Sequence, residues 1–178
     1  MLTQVDLDNI VRECERQGAT SPQEIVRFAT AYTEVSRRSG MTSTTLGLPV
    51  LSPVTTVSWC TYVCELANLI EPRTKGKYRT VPVTFWNEEI GTWEPVNGAL
   101  DHELVPQAMW NLLDAVREER VSADEFYQEF ETIHPFRDGN GRVGNIIWRW
   151  LMDNEIGEKA WELENPPPFV SSKKKKEK

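Results

Sequence analysis

The stretch IHPFRDGNGRVGN, residues 133–145, interrupts one helical pattern and lets another resume, and it gathers residue types that could handle a phosphate. Gly139 and Gly141 permit positive φ and close approach by a ligand. A helix begins just after them. The N–H groups at a helix start, reinforced by the helix dipole, attract anions. Arg142 sits in that first turn, where a positive charge is unfavourable for the helix alone; a bound phosphate would reverse the penalty. Asn140 adds a side-chain donor.

Asp138 is out of place in an anion pocket until a metal is considered. A single carboxylate beside phosphate oxygens is a common way to hold Mg²⁺, which keeps most of its waters. His134 lies four residues earlier, at the edge of the same loop. An unperturbed imidazole titrates near ~6.5, so much of it is free base at neutral pH, able to take a proton from an attacking hydroxyl. Phe136 would anchor the loop in the core between these polar groups. Each residue also has a plain structural reading. Gly-Asn-Gly makes turns, His134 could cap the preceding helix, Asp138 could cap the next, and Arg142 could sit in a surface salt bridge. Their arrangement within nine residues, 134–142, favours the chemical reading.

The elements that must position these residues read as mainly helical. At 178 residues and 39% hydrophobic content the chain can form one domain with a sizeable core. Ser21-Pro22-Gln23-Glu24 is a strong helix start, followed by Ile25, Phe28, Ala29 and Tyr32 on one face. Residues 41–54 are rich in Thr, Gly, Pro and Ser and read as a loop. A buried helix is expected from about Thr55 to Ile70, with Val57, Cys60, Cys64 and Ala67 on its inner side. Helical spacing returns with Val105, Ala108, Met109, Leu112 and Val116. A second capping box, Ser122-x-x-Glu125, opens a helix that turns Phe126, Phe130 and Ile133 inward and delivers the chain to His134. Beyond the glycines, Val143, Ile146, Ile147, Trp150 and Leu151 form a wide apolar stripe. Residues 79–96 differ: Val81, Val83 and Phe85 alternate with other residues, NEEIG offers a turn, and TWEPV can return, so a β-hairpin is expected. Pro82 confines its strand to an edge. ENPPPFV favours an extended polyproline conformation, and the lysine-rich end reads as disordered.

Charge and composition narrow the function. The total is −7, and the last eight residues hold five lysines against one glutamate, which leaves −11 on residues 1–170. General nucleic-acid binding does not fit so acidic a body. No apolar run reaches membrane-spanning length and no signal pattern opens the chain. Three cysteines and two histidines without a CxxC pair argue against zinc and for a reducing, cytoplasmic home. His102, in the acidic loop ALDHEL, reads as solvated.

The contiguous HPFRDGNGR at 134–142 resembles the signature of the Fic family, within the wider Fic/Doc fold: His-x-Phe-x-Asp/Glu-Gly-Asn-Gly-Arg-x-x-Arg. Weaker similarity runs through GKYRTVPVTF at 76–85, which resembles the family's flap hairpin. The resemblance implies an all-α, mainly helical Fic fold, a helical bundle core with one β-hairpin flap. Residues 55–153 would be the Fic core, with the flap near 79–96 and the active-site loop at 134–142. Residues 1–54 would pack helices on that core, and 154–178 would form a C-terminal extension.

The implied reaction moves a nucleotide monophosphate, usually AMP from ATP, to a Tyr, Thr or Ser hydroxyl of a target protein. His134 would be the general base. Asp138 would hold Mg²⁺ at the phosphates. Gly139, Asn140 and Gly141 would cradle them with Phe136 anchoring the loop, and Arg142 would stabilise developing charge. The hairpin would hold the target segment by strand addition, and a separate inhibitory protein could exist. Related chemistry would move UMP, phosphocholine or phosphate instead. A second class of reading is a Fic-fold module that binds nucleotide or protein without turnover.

One position departs from the pattern. The second signature arginine falls at Asn145, which can donate a hydrogen bond but carries no charge. In the family that arginine grips the outer phosphates and pairs with the glutamate of an inhibitory Ser/Thr-x-x-x-Glu-Gly/Asn helix. Here Thr20-x-x-x-Glu24 and Thr30-x-x-x-Glu34 match only its first part. Arg149, seven residues after Arg142, could lean back toward the pocket, but its place between Trp148 and Trp150 reads as a surface position.

Overall fold

The computed structural model describes residues 4–40, 55–95 and 99–156. Six α-helices and one hairpin make up its main elements: α1 Gln4–Arg16, α2 Pro22–Gly40, α3 Thr56–Ile70, β1 Thr84–Asn87, β2 Thr92–Pro95, α4 Val105–Arg117, α5 Ala123–Ile133 and α6 Asn140–Ile156. The expected loop at 41–54 and the proline and lysine stretches beyond 156 lie outside the described residues.

Local chemistry sets the helix starts. Ser21 and Glu24 bond reciprocally at the head of α2, and Ser122 and Glu125 do the same for α5. Thr55 caps α3 by accepting from the Ser58 N–H.

Helix α6 is the centre of the bundle. Residues 142–149 are buried without interruption, so the helix is covered nearly all round by α5, α2 and α3. Val143, Ile146 and Ile147 enter the main core, while Trp150 and Leu151 pack at its margin, the Trp150 ring 5.0 Å from that of Trp59. Gly144 permits the close approach of α5: a Cβ there would lie 3.0 Å from Phe130 Cδ1. Phe126, Phe130 and Ile133 are buried from the α5 side, as their spacing demands.

Helix α3 turns a different face inward from the one the apolar spacing suggested. Val57 is 57% exposed, and Cys60 and Cys64 are half-buried at the rim. The buried residues are Thr56, Trp59, Val63, Leu66, Ala67 and Ile70. That stripe carries more apolar area than Val57 with two thiols, and area decides burial. Its one polar member is satisfied, because Thr56 Oγ1 donates to Asp114 at 2.7 Å.

The hairpin is antiparallel, with Thr84 opposite Pro95 and Asn87 opposite Thr92. Gly91 takes φ +63 in the turn. Its strands are shorter than the expected 79–96, because Arg79–Val83 runs as irregular chain. Arg79 explains this, since its side chain and its N–H are both drawn toward the 133–145 loop. Pro82 therefore precedes the strand.

Candidate active site

Helix α5 ends on His134, which adopts the left-handed conformation at φ 51, ψ 61 while its N–H still reaches the Phe130 carbonyl at 2.9 Å. A non-glycine residue held there is backbone strain, often stored at functional positions. Phe136 is fully buried against Tyr78 and Phe130, so it anchors the loop as expected. Arg79 braces the same loop from outside. Its backbone N–H donates to the Pro135 carbonyl, and its guanidinium donates to the carbonyls of His134, Val81, Leu100 and Ile133.

Asn140 holds the backbone of the loop. Its Oδ1 accepts from the Phe136 N–H and its Nδ2 donates to the Phe136 carbonyl, both at 2.8 Å. The side chain closes the loop, and so shapes the cradle. Gly139 sits at φ +78, with Glu71 so near that a Cβ would lie 3.2 Å from its Cβ.

Arg142 is buried among three carboxylates: Glu24 Oε1 at 3.8 Å, Glu71 Oε2 at 3.7 Å and Asp138 Oδ1 at 3.7 Å. All three are ion pairs too long for hydrogen bonds, and Nη1 has no hydrogen-bond partner. Asn145 is fully buried; Oδ1 accepts from Arg149 Nε at 3.0 Å, while Nδ2 also lacks a partner. Arg149 is accordingly not the surface residue it was read as. It is buried, bonded to Asn145 and 5.5 Å above the Trp148 ring. A buried donor left unpaired costs roughly 1–3 kcal/mol, and an anion accepting from Arg142 Nη1 or Asn145 Nδ2 would recover it.

Asp138 is 52% exposed. Oδ1 accepts from the Gly139 N–H and Oδ2 from Arg73 Nη2 at 2.7 Å. No group of three or more His, Cys, Asp or Glu among the described residues could hold a metal ion. A lone, accessible carboxylate fits only a cation that brings its other ligands, as Mg²⁺ does with water and phosphate oxygens. Arg73 would have to yield Oδ2 to it.

The His134 imidazole is 35% exposed, and burial together with the Arg79 charge pulls it below its ordinary pKa. A hydrogen bond with the Glu131 backbone and the Asp138 charge oppose this less strongly. The ring is therefore a neutral base at neutral pH. Between this loop and the hairpin lies a cleft of about 600 Å³, lined by residues that include Glu71, Arg73, Val81, Trp93, Phe136 and Asp138. His134 and Arg142 are outside that lining.

Several residues at the site were not singled out from sequence. Arg79 lay within the hairpin-like segment, and Glu71 precedes Pro72, where its side chain accepts from the Arg73 N–H as a helix-start cap. The bidentate Arg73 bonds hold the Glu71 carboxyl below its usual range. Gln17 packs over Gly141, so closely that a Cβ there would collide with it. Glu24, from a pattern that matched the inhibitory motif only in part, faces Arg142 and not position 145. His102 lies in the 3-10 turn His102–Leu104, half-buried, with Nδ1 3.2 Å from Asp101.

No curated protein matches the chain. Matches among solved structures include two crystal structures. One is a Fic-domain-containing signalling protein from Bacteroides thetaiotaomicron, with TM-score 0.51 and 18% identity over 88% of this chain and 58% of that one. The other is a Fic family protein from Desulfovibrio desulfuricans, with TM-score 0.45 and 20% identity over 90% of this chain and 61% of that one. The chain thus spans about three fifths of the length of each. The Fic/DOC family model matches residues 59–152, more than half of the chain and the whole of the 134–142 loop, so this protein belongs to the Fic/DOC family.

Proposed function

We propose that the chain is a protein nucleotidylyltransferase, moving AMP from ATP to a Tyr, Thr or Ser hydroxyl of a target protein. One observation carries the reading: within nine residues, a partly exposed neutral imidazole accompanies a buried arginine with an unpartnered N–H and a half-exposed carboxylate. A phosphate binder needs the arginine and the helix start alone. The base and the carboxylate belong to a reaction.

In that reaction the target oxygen attacks the α-phosphorus and the bond to pyrophosphate breaks. His134 takes the hydroxyl proton as the new O–P bond forms. Arg142 and the N–H groups at the α6 start face the charge that grows on the phosphate oxygens. Mg²⁺ held by Asp138 and the phosphates would supply further neutralisation. The cleft beside the hairpin gives the target an extended seat, with main-chain pairing on an open strand edge.

Intact-mass spectrometry of the chain and host lysate with Mg²⁺ and each nucleotide tests this. An AMP adduct that disappears with His134→Ala is expected. Adducts of UMP or of phosphocholine would redirect the donor, and no adduct on a verified target would end the proposal.

A second reading has its own observation. Asn145 replaces a charge, and Arg142 already faces three carboxylates, which suits a module that binds nucleotide without turnover. Calorimetric binding without product, unaffected by His134→Ala, would select it.

A further inference from the structure

Glu131 occupies the last turn of α5, three residues before His134. Its Oε2 lies 4.0 Å from His134 Nδ1, and its Oε1 is buried with no hydrogen-bond partner. Its side chain is only 12% exposed, an unusual place for a carboxylate at the negative end of a helix dipole. The acidic group is enclosed by α1, whose Arg16 and Glu13 lie within electrostatic range, and by Tyr127 of its own helix. Glu13 is itself held by Arg16 and by the Gln17 side chain, so Arg16 is shared and cannot fully neutralise Glu131. A buried acid with spare acceptor capacity therefore stands against the imidazole.

We infer that Glu131 is a positioning residue for His134: its main chain hydrogen-bonds the ring, and its carboxylate, 4.0 Å from Nδ1, stabilises the imidazolium that forms when the ring takes a proton. The inference rests on the transfer reaction proposed above. In that step the target hydroxyl loses its proton to the ring, the new O–P bond forms, and pyrophosphate departs with the electrons of the broken bond. The positive charge left on the ring is then met at 4.0 Å by Glu131, with the Arg79 charge opposing it and Asp138 adding to it.

Burial pushes the Glu131 carboxyl up to about 7, with Arg16 pulling it down and Glu13 raising it. Burial and Arg79 move His134 the opposite way. At 4.0 Å, ionisation of the Glu131 carboxyl should make His134 about tenfold more basic than it is beside the neutral acid.

The experiment follows His134 in the whole chain by NMR with labelled histidine, using His102→Gln to assign the two rings. The wild-type ring is expected to titrate in two steps, the upper one following the Glu131 carboxyl. Glu131→Gln removes the upper step and lowers the midpoint by roughly half a unit, while Glu131→Asp keeps part of both. In transfer assays at pH 8, Glu131→Gln lowers kcat about fivefold with little change in KM, and moves the acid limb to lower pH. A single wild-type step, or an unchanged midpoint in folded Glu131→Gln, overturns the pairing whatever the activity. A paired titration in a chain that transfers nothing leaves the pairing standing and removes the proposed reaction.

Discussion

At the scale of residues, the loop divides its polar side chains between structure and chemistry in a way that spacing could not show. Asn140 and Arg79 hold the loop's backbone, and His134, Asp138 and Arg142 are the residues the proposed transfer would use. Glu131 couples this chemistry to stability. Its carboxyl titrates near 7 in the fold against an ordinary 4.5. A raised pKa means that the folded state holds the proton more firmly, so its contribution is full below 4.5 and is lost as pH rises through 7. Glu131→Gln, which cannot ionise, should therefore be no more stable than wild type at pH 4.5 and up to about 3 kcal/mol more stable at pH 8. Urea unfolding at the two values checks the sign. The type and position of His134, Asp138 and Arg142 were legible because they follow one another in the chain. The roles of Glu71, Arg73 and Arg79 were not, because they enter the site only when α3 and the irregular 79–83 segment fold against the loop.

At the scale of elements, helix starts and periodicity were readable for the capped helices, since capping boxes and apolar spacing are local. The inner face of α3 was not, because two stripes one residue apart compete and only the neighbouring helices decide between them. The hairpin was readable as a pair of strands and too long at its root. The same limit applies to the approach of α1 and α2 to the α6 start. Glu24 serves two masters there, closing the capping box of α2 and facing Arg142. A carboxylate on that guanidinium competes with phosphate. Glu24→Gln should tighten ATP roughly fivefold, as expected for one partly exposed ion pair, and cost α2 up to about 1 kcal/mol of capping. Calorimetry and thermal unfolding should show the two effects with opposite signs.

At the scale of the whole molecule, α6 lies at the centre, and its first turn is the candidate ligand site. A ligand there touches the most enclosed element of the fold. Mg²⁺ with ATP at about a hundred times its Kd should add about 2.7 kcal/mol, or roughly 5–10 °C in Tm. The shift should survive His134→Ala, which removes the base, and shrink with Arg142→Ala, which removes the charge. Differential scanning fluorimetry on the three chains reads this directly. No described helix is long and apolar enough to cross a membrane. The three cysteines are free, Cys14 within the core and the other two at its rim.

Arg79 joins distant parts of this arrangement, gripping the carbonyls of His134 and of Val81 at the hairpin's root. If a target segment pairs on the hairpin as proposed, its seat and the loop that carries the imidazole are mounted on one strut. A guest that seats badly would twist the strut and carry the base out of line, even if it clung well. Selection among target sequences should then fall more on turnover than on binding strength.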